Sequence, residues 1–534
     1  MRVARRARAD TETESKPAFL EGNPVSKVGA AGAALGLGLL LALSSCRQGN
    51  RPTPPAADVT RPSQKPNIIL LTVDTLRADH MALYGYARDT MPAIGRFART
   101  AVVFDNAVVP RGSTRPSYAS MLTGLYPFHH GVRSNATVLH NDLTTLSETL
   151  KSAGYHTAGF VSNFVLLGEM SGFGQGFDVY DDRMEERESG RPNYERTARN
   201  TLEAILAWLN ADPPQPFFLF TNFIDPHGPY QPPGRFGKLY RSGKMRRLDP
   251  NDIPAYQLVE GQLNYFDYVD RYDGEIRYTD EVMGILIDEL KRKGLWDDAL
   301  VVFTADHGES MGEHGIYFEH HLQVYEETMH VPLAIRLPDA LGSPHGPTTT
   351  QGDGGPRRVR SLCSPMDLPP TILAAIDLST EAELDGRSLL TLMQGGQDED
   401  RALWLEFPDV ATPQESLPDI YAIRTATHKL MRILAPNTTK VLQQAVFDLA
   451  ADRLEQRVIP FNAQDPLHRQ LAKQFDSMLT RVHRYDVPFA LTVYEMPMSQ
   501  RPGFIDARRE KGKTIVKPLT TDQIERLRGL GYVQ

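Results

Sequence analysis

The sequence predicts an α/β fold with a mostly parallel central sheet and a smaller C-terminal subdomain that contains a short antiparallel sheet. Continuous apolar runs, which suit strands buried on both faces, recur along the first 300 residues. Helix-like stretches separate these runs, and this alternation is typical of a parallel sheet covered by helices. After about residue 395 the strand-like pieces become shorter and more polar. This change of character indicates a second, smaller sheet.

The N-terminal region has the features of a bacterial export signal. An apolar run, Val28–Leu43, follows a basic stretch and is shorter than the roughly 18 residues of a transmembrane helix. The following Leu43-Ser44-Ser45-Cys46 resembles a lipobox, in which the cysteine is lipidated. We therefore predict a lipoprotein-type signal peptide at 1–46, a Pro-rich tether at 47–65, and an exported protein that is lipid-anchored to the membrane of the bacterial cell envelope through Cys46. The alternative is a plain N-terminal anchor helix.

Four apolar runs are predicted strands of the central sheet, and the segments that precede three of them fit helices. The strands are predicted at 67–73, 157–161, 217–220 and 299–303. Apolar residues with three- and four-residue spacing, which share one helix face, occur at 143–150, 202–209 and 282–290. The polar stretch from about 232 to 264 has no clear period, and we predict a surface insertion near the site.

The composition is that of an ordinary globular protein, with 41% hydrophobic and 23% charged residues over 534 positions. The formal net charge is -8 and no basic stripe stands out. These properties give no indication of a nucleic-acid partner, and we predict none.

Polar clusters follow the predicted strands at the points where the strands end. Asp74 comes directly after the first strand, and Asp306-His307 closely follows the fourth. Because ligands of open α/β sheets bind at the carboxyl ends of the strands, these clusters are expected to converge. An aspartate and a histidine that end a buried strand are costly to leave without a partner. An aspartate at a strand end is also a common helix cap, and that alternative stays open for Asp74.

The most specific motif lies between Thr114 and Pro127. It resembles the nucleophile segment of the sulfatases, a branch of the alkaline phosphatase superfamily, which reads Cys or Ser, any residue, Pro-Ser-Arg, four residues and Thr-Gly. The positions that match are Pro116, Ser117, Thr123 and Gly124. The family oxidises its Cys or Ser to formylglycine, but threonine cannot undergo this reaction, so we expect no formylglycine. The alternative is that Thr114 is only a helix N-cap.

The resemblance implies an alkaline phosphatase/sulfatase-like α/β/α sandwich. It places the catalytic domain at 66–395, the C-terminal subdomain at 396–500 and a tail at 501–534. It also implies one divalent metal ion, Mn, Mg, Zn or Ca, held by Asp74, Thr114, Asp306 and His307. The family often has a second aspartate after the first, where this sequence has Thr75.

Histidines complete the expected site. Pro226-His227-Gly228-Pro229-Tyr230 resembles a sulfatase loop whose histidine contacts the substrate. His320 stands near the position where the family usually has a lysine. The resemblance therefore implies that His227 and His320 are catalytic, and that both bind substrate together with Arg115. Asp225 is expected to be structural or to orient His227.

The combined prediction is a metal-dependent hydrolase that acts on phosphate or sulfate esters through a metal-activated Thr114. Phosphate, phosphodiester and phosphonate esters are favoured, because an intermediate on threonine must be cleared by water. The substrate is expected to be a small-molecule, glycan or lipid ester. The alternatives are a sulfuric ester hydrolase without formylglycine, an envelope phosphoglycerol- or phosphoethanolamine-type transferase, and an inactive glycan-binding relative.

Overall fold

A computed structural model describes residues 65–184, 195–254, 256–259, 261–320, 323–338, 355–398, 400–407, 418–435, 438–485, 508–510 and 513–515. The predicted signal peptide, Cys46 and all of the predicted tether except Lys65 lie outside these ranges. Among the described helices, none is both long enough and apolar enough to cross a membrane.

The catalytic region is built on ten strands, of which eight form one central sheet. The strands are β1 (Ile68–Val73), β2 (Val102–Val108), β3 (His156–Phe160), β4 (Val179–Asp181), β5 (Phe217–Phe223), β6 (Leu300–Ala305), β7 (Ser310–Met311), β8 (Tyr317–Glu319), β9 (His330–Arg336) and β10 (Arg357–Cys363). The sheet has the order β10-β2-β9-β6-β1-β5-β3-β4, and β7 and β8 form a separate two-stranded ribbon. The predicted mixed α/β fold with a mostly parallel sheet is confirmed.

The centre of the sheet positions the site. Strand β1 pairs in parallel with β5 on one side and with β6 on the other. All six residues of β1 are buried, because helices cover both faces of a parallel sheet. Val73 at the end of β1 pairs with Ala305 at the end of β6. The residues that follow these two strands therefore leave the sheet side by side.

One half of the sheet departs from the simple parallel arrangement. Strand β9 runs antiparallel to both β2 and β6, while β10 pairs in parallel with β2 at the edge. Strands β2, β9 and β10 were not among the predicted strands. Strand direction depends on contacts between distant segments, and local periodicity does not encode it.

The helices pack around this sheet and connect its strands. They are α1 (Pro92–Ala98), α2 (Thr114–Thr123), α3 (Pro127–His130), α4 (Leu146–Ser152), α5 (Gly168–Ser171), α6 (Ala198–Asn210), α7 (Tyr265–Arg292), α8 (Glu326–Met329), α9 (Leu368–Ala375), α10 (Leu390–Met393) and α11 (Pro466–Tyr485). The helices predicted from 202–209 and 282–290 correspond to α6 and the second half of α7.

A second sheet forms the C-terminal subdomain, as predicted. Its strands are β11 (Leu403–Phe407), β12 (Asp419–Arg424), β13 (His428–Leu434), β14 (Val441–Asp448) and β15 (Ile459–Pro460). Neighbouring strands are antiparallel throughout. Two further short strands, β16 (Arg508–Glu510) and β17 (Lys513–Ile515), pair with each other.

A buried ionic cluster joins the two sheets. The Lys429 ammonium of β13 lies 2.9 Å from Glu326 of α8 and 3.0 Å from Glu455. It also donates a hydrogen bond to the main-chain carbonyl of Val324. Arg424 of β12 forms a second ion pair with Glu326 at 3.1 Å. Because buried charges need close partners, the C-terminal sheet neutralises a carboxylate that belongs to the catalytic region.

Candidate active site and metal centre

The site begins where β1 and β6 end. Asp74 follows β1 directly, and Asp306 follows β6 directly. The Thr75 amide donates a hydrogen bond to Oδ1 of Asp306 at 3.2 Å, which ties the two strand ends together. Ligand atoms of Asp74, Asp306 and His307 all lie within 4.8 Å of one another. The convergence expected from the strand ends is therefore present.

Each aspartate uses one oxygen to bind protein and leaves the other without a partner. Oδ2 of Asp74 accepts a hydrogen bond from Nδ2 of Asn163 at 2.7 Å. Oδ1 of Asp306 accepts from the main-chain amides of Thr75 and His307. Oδ1 of Asp74 and Oδ2 of Asp306 are buried and have no hydrogen-bond partner among the described residues. Buried carboxylate oxygens of this kind need a cation or a proton.

His307 offers a nitrogen lone pair to the same point. Its Nδ1 lies 2.8 Å from the carbonyl oxygen of Gly308. A carbonyl can only accept, so Nδ1 carries the proton and Nε2 presents its lone pair. Nε2 lies 3.5 Å from Oδ2 of Asp306 and 3.3 Å from Oγ1 of Thr114.

The electrostatics of the two aspartates fit a divalent cation. Burial raises the pKa of Asp306 to about 8. Burial, with the nearby charge of Asp306, raises the pKa of Asp74 well above its ordinary value. Ionising both buried carboxylates therefore costs free energy unless a positive charge compensates them. Two carboxylates and one imidazole form a donor set that suits Mn, Zn or Mg.

Thr114 is held beside this cluster by the start of α2. It is the first residue of the helix, and Ser113 occupies the N-cap position. The alternative that Thr114 is the N-cap is therefore wrong. Ser117, one turn along, donates from Oγ to the main-chain carbonyl of Asp306 at 2.5 Å. This bond fixes the helix start against the end of β6.

Residues 66–378 match the sulfatase family. The chain belongs to the sulfatase family. Residues 312–484 also match the C-terminal region of N-sulphoglucosamine sulphohydrolase, in agreement with a sulfatase-type C-terminal sheet.

Known proteins similar to this sulfatase-family chain include both sulfatases and phosphonate hydrolases. A multifunctional alkaline phosphatase superfamily protein of Trinickia caryophylli is 24% identical over 501 residues, which cover 77% of this chain and 93% of that protein. A structure described as a complex with its substrate D-glucosamine-2-N,6-O-disulfate has a TM-score of 0.64 at 20% identity, covering 79% of this chain and 99% of that one. The phosphonate monoester hydrolase of Agrobacterium radiobacter has a TM-score of 0.62 at 20% identity, covering 82% and 99%.

The fifth position of the sulfatase motif has a structural role in this chain. Tyr118, which replaces the motif arginine, is fully buried. Its hydroxyl lies 2.7 Å from Oγ1 of Thr72 and accepts a hydrogen bond from Nδ2 of Asn222. These contacts tie α2 to β1 and β5. The position therefore supplies packing and hydrogen bonds within the sheet.

Two further histidines extend the cluster away from the metal ligands. The ring of His320 stacks on that of His307, with centroids 4.4 Å apart. The His227 ring contacts His320 edge-on at 5.4 Å. Nδ1 of His227 donates to the carbonyl of Gly228 at 2.9 Å. The structure thus brings together both predicted catalytic histidines and the predicted metal ligands.

Glu309, which was not among the predicted site residues, holds His320 in place. Its Oε1 lies 3.0 Å from Nδ1 of His320. Its Oε2 accepts hydrogen bonds from the Tyr230 hydroxyl at 3.0 Å and from Nε2 of Gln257 at 3.3 Å. The position of Glu309 directly after Asp306-His307-Gly308 was the available signal.

The predicted surface insertion contacts these groups through Tyr256 and Gln257. Tyr256 stacks on His227 with centroids 6.3 Å apart and donates to the main-chain carbonyl of Phe318. Gln257 packs so closely on Gly228 that a Cβ there would lie 1.5 Å from its side-chain oxygen. The prediction that this insertion lies near the site agrees with these contacts.

Two arginines near the nucleophile differ in their surroundings. Nε of Arg115 donates to the main-chain carbonyl of Val165 at 2.5 Å, and Nη1 donates to that of Thr137. These contacts hold Arg115 in the protein interior, and its predicted role in substrate binding stays a prediction. Arg111 is also buried, and its Nε and Nη1 have no hydrogen-bond partner among the described residues. Its nearest carboxylate, on Glu406, is 3.9 Å away.

Three further polar residues make contacts near the site. Asp225 accepts a hydrogen bond from the Ala198 amide at the start of α6, and its alternative role in orienting His227 stays a prediction. Asn163, which orients Asp74, was missed, although it follows a predicted strand. Thr75 adopts a positive φ of 52°, and its buried hydroxyl has no hydrogen-bond partner among the described residues. A β-branched residue rarely takes this conformation outside functional sites.

Proposed function

We propose that this sulfatase-family hydrolase cleaves phosphate, phosphodiester or phosphonate esters with Thr114 as the nucleophile. The supporting observation is the position of Oγ1 of Thr114, 3.3 Å from Nε2 of His307. His307 belongs to the triad of buried ligand atoms that also includes Asp74 and Asp306. A threonine hydroxyl is a weak nucleophile unless a metal or a base activates it.

The ion would be held by Asp74, Asp306 and His307, with Thr114 adjacent. When bound, a divalent ion supplies charge that lowers the pKa of a nearby hydroxyl and stabilises negative charge on the ester oxygens. The unpartnered oxygens of the two aspartates support this assignment. Mn, Mg or Zn suits a site with one imidazole better than Ca, which prefers oxygen ligands.

The chain's own residues account for the bond changes. Thr114 gives up its hydroxyl proton to solvent, Oγ1 forms a bond to phosphorus, and the bond from phosphorus to the leaving oxygen breaks. The leaving oxygen takes a proton from His227 or His320, which can be a general acid near neutral pH. Water then gives one proton to the histidine that protonated the leaving oxygen and attacks phosphorus with its oxygen. The bond to Oγ1 breaks, and Oγ1 of Thr114 takes up a proton from solvent.

The chemistry of threonine favours phosphorus over sulfur. A formylglycine hydrate has a second hydroxyl that expels sulfate by elimination, and Thr114 has only one. The ester formed on Thr114 must therefore be hydrolysed by water that attacks its phosphorus or sulfur atom. Similarity to a phosphonate monoester hydrolase fold agrees with this preference. Sulfuric ester hydrolysis without formylglycine is the second candidate, because the family and its neighbours include sulfatases.

We also propose that the enzyme is exported and lipid-anchored in the bacterial envelope. The Val28–Leu43 run followed by Leu43-Ser44-Ser45-Cys46 supports this proposal. Metabolic labelling with a fatty acid should mark the wild-type chain and leave Cys46→Ser unmarked. Equal labelling of both chains would contradict it.

The decisive experiment compares esters and variants on the full chain in detergent. Hydrolysis of p-nitrophenyl phosphate, bis-p-nitrophenyl phosphate, a phenylphosphonate ester and p-nitrophenyl sulfate is measured with each of Mn, Mg, Zn and Ca. Thr114→Ala should abolish turnover, and Thr114→Ser should retain part of it. A phosphoryl group on Thr114, detected by mass spectrometry after acid quenching, is the expected intermediate. Full activity of Thr114→Ala would refute the mechanism, and a preference for the sulfate ester would favour the second candidate.

A further inference from the structure

The ribbon of β7 and β8 has two groups of the site at its base. Glu309 comes directly before β7, and His320 comes directly after β8. Oε1 of Glu309 and Nδ1 of His320 lie 3.0 Å apart, and this contact closes the base of the ribbon. The His320 ring in turn stacks on that of His307. The direction of the His320 side chain therefore depends on how the ribbon is held.

His314 holds the turn at the other end of the ribbon. Its Nδ1 lies 2.7 Å from Oε1 of Glu327 in α8, and its Nε2 lies 3.3 Å from the main-chain carbonyl oxygen of Glu455. Its ring stacks on that of Tyr325, with centroids 3.6 Å apart and an angle of 5° between the planes. One side chain therefore connects the ribbon to α8 and to the C-terminal subdomain.

Both ring nitrogens of His314 face acceptors, so the ring is an imidazolium. A main-chain carbonyl and an ionised carboxylate can only accept, and each nitrogen therefore needs a proton. Burial opposes the positive charge, but the hydrogen bond to Glu327 and the negative charge of this residue outweigh it and raise the pKa of His314 above its ordinary value. Two hydrogen bonds and one ion pair therefore depend on the same protonation state.

Glu327 depends on the charge of His314. Its side chain is fully buried, and His314 is its only ion-pair partner among the described residues. Oε2 of Glu327 has no hydrogen-bond partner among them. A buried carboxylate that loses its only charged partner is strongly destabilising. The turn of the ribbon is therefore held firmly only while His314 is protonated.

The other ionisable groups around His314, within the described part of the chain, are already balanced or neutral. Three carboxylates form ion pairs with one arginine and one lysine, and burial keeps a phenol uncharged by raising its pKa. These groups are Glu313 with Arg77, Glu326 and Glu455 with Lys429, and Tyr325. Neither of the two cations forms an ion pair with Glu327.

Helix α8 also packs on the main chain beside the base of the ribbon. The Gly308 amide donates to the main-chain carbonyl of Thr328 at 2.9 Å. A Cβ on Gly308 would lie 2.1 Å from the main-chain oxygen of Glu327, so this helix directly contacts the residue between His307 and Glu309. The pair of His314 and Glu327 is therefore connected to the position of His320 through both ends of the ribbon.

We propose that His314 is a positioning residue, whose positive charge, paired with the buried Glu327, holds the ribbon so that His320 can protonate the leaving oxygen. This inference rests on the proposed function, in which a histidine is the general acid, and it assigns that role to His320. A neutral His314 leaves Glu327 without an ion-pair partner. Because the pairing raises the pKa of His314, its stabilisation is complete below about pH 6.5 and is lost as the pH rises through the higher pKa of the folded protein.

Three variants of the full chain separate the effect of the charge from general damage. His314→Gln removes the charge and keeps one donor, and His314→Gln/Glu327→Gln also removes the buried carboxylate. The control is His156→Gln, because His156 lies 3.4 Å from Asp178 and begins β3, at the end of that strand away from the site.

Urea unfolding measures the contribution of the pair to stability. At about pH 6, the unfolding midpoint of His314→Gln should fall by about 0.5 M, and that of the double variant should recover. Raising the pH to about 9 should lower the midpoint of wild type and of the control more than that of either His314 variant. If His314→Gln does not fold, folding of the double variant would support the pairing, and failure of both would overturn it.

The choice of ester tests whether His314 acts through the general acid. A poor leaving group such as phenolate needs a proton in the transition state, whereas p-nitrophenolate needs little help. At about pH 6, His314→Gln should lower kcat about tenfold for phenyl phosphate and about twofold or less for p-nitrophenyl phosphate, with little change in KM. The double variant should regain most of this loss, and the control should match wild type. If the enzyme prefers sulfate, phenyl and p-nitrophenyl sulfate give the same comparison.

Crystal structures of wild type and His314→Gln provide a readout that needs no turnover. The contact between Oε1 of Glu309 and Nδ1 of His320, 3.0 Å in the present structure, should persist in wild type. The same contact should be lengthened or broken in His314→Gln, because the turn of the ribbon has lost its ion pair.

Equal loss of kcat on both esters, or an unchanged contact between Glu309 and His320 in His314→Gln, would overturn the positioning role. A double variant that is no more stable than His314→Gln would overturn the pairing of charges. Failure of wild type to hydrolyse any of the esters would instead count against the proposed function, and the urea and crystal measurements would still decide the role of His314.

Discussion

Replacing Asp74 by asparagine should stabilise the metal-free enzyme while abolishing its response to metal. The asparagine carbonyl can still accept the hydrogen bond that Asn163 now donates to Oδ2 of Asp74. Its amide group then replaces the unpartnered Oδ1 and can donate toward the likewise unpartnered oxygen of Asp306. The substitution therefore removes one buried charge and adds a donor beside the other.

The magnitude follows from the geometry of the two carboxylates. Their ligand atoms lie within 4.8 Å, and two unit charges at that separation repel by about 3.5 kcal/mol at an effective dielectric constant of about 20. Protonation relieves part of this repulsion, because burial raises the pKa of Asp306 to about 8. We expect Asp74→Asn to raise the free energy of unfolding by about 1–3 kcal/mol without metal.

The sign of the pH dependence provides a second readout. The pKa of Asp306, about 8 in the folded protein, exceeds its value of about 4 in an unfolded chain. The folded metal-free protein therefore binds more protons between these values, and its stability falls as the pH rises from about 4 to 8. Asp74→Asn should reduce this loss of stability with rising pH, because only one of the two interacting carboxylates remains.

Urea unfolding in EDTA measures the stability of the metal-free protein, and urea unfolding in excess Mn measures its stabilisation by the metal. Wild type should gain stability with Mn, whereas Asp74→Asn should not. Asp298→Asn, which removes an exposed charge, should behave as wild type. The reasoning fails if Asp74→Asn is less stable than wild type in EDTA, or if Mn stabilises both proteins equally.

Three further predictions concern groups at and beyond the site. Glu309→Gln should lower kcat about tenfold to a hundredfold and shift the pH profile, because Glu309 orients His320; an unchanged profile would remove that role. Burial lowers the pKa of His130 to about 3, so acid should destabilise wild type relative to His130→Gln by about 2 kcal/mol between pH 7 and 5 in urea titrations; parallel curves would contradict this. Asp367→Ala should cost about 3–5 kcal/mol in unfolding free energy, because it strands the buried Arg401, and a cost below 1 kcal/mol would refute that estimate.

The central residues of the site could be predicted from the sequence because they lie directly after predicted strands. Asp74 and Asp306-His307 each follow a buried strand, and parallel strands bring their carboxyl ends together whatever lies between them in the sequence. The family motif then placed Thr114 beside them. The mixed α/β fold followed from the same continuous apolar runs.

What the sequence could not supply depends on side-chain direction and distant pairing. Arg115 follows the nucleophile, yet its guanidinium bonds to main-chain carbonyls in the interior. Asn163 orients Asp74 from 89 positions away, and no local pattern connects them. The antiparallel strand β9 separates β2 from β6 through contacts that periodicity does not encode.

The ionic cluster between the two sheets has a consequence for the effect of C-terminal truncation on this enzyme. Lys429 and Arg424 of the C-terminal sheet are the partners of Glu326 in the catalytic region. A chain that stops before them would keep every residue of the candidate site but would lose both cationic partners of that glutamate and the sheet that covers it. Premature stop codons late in the gene should therefore yield chains that are degraded by proteolysis. Shorter active enzymes should not arise by deletion of the C-terminal sheet.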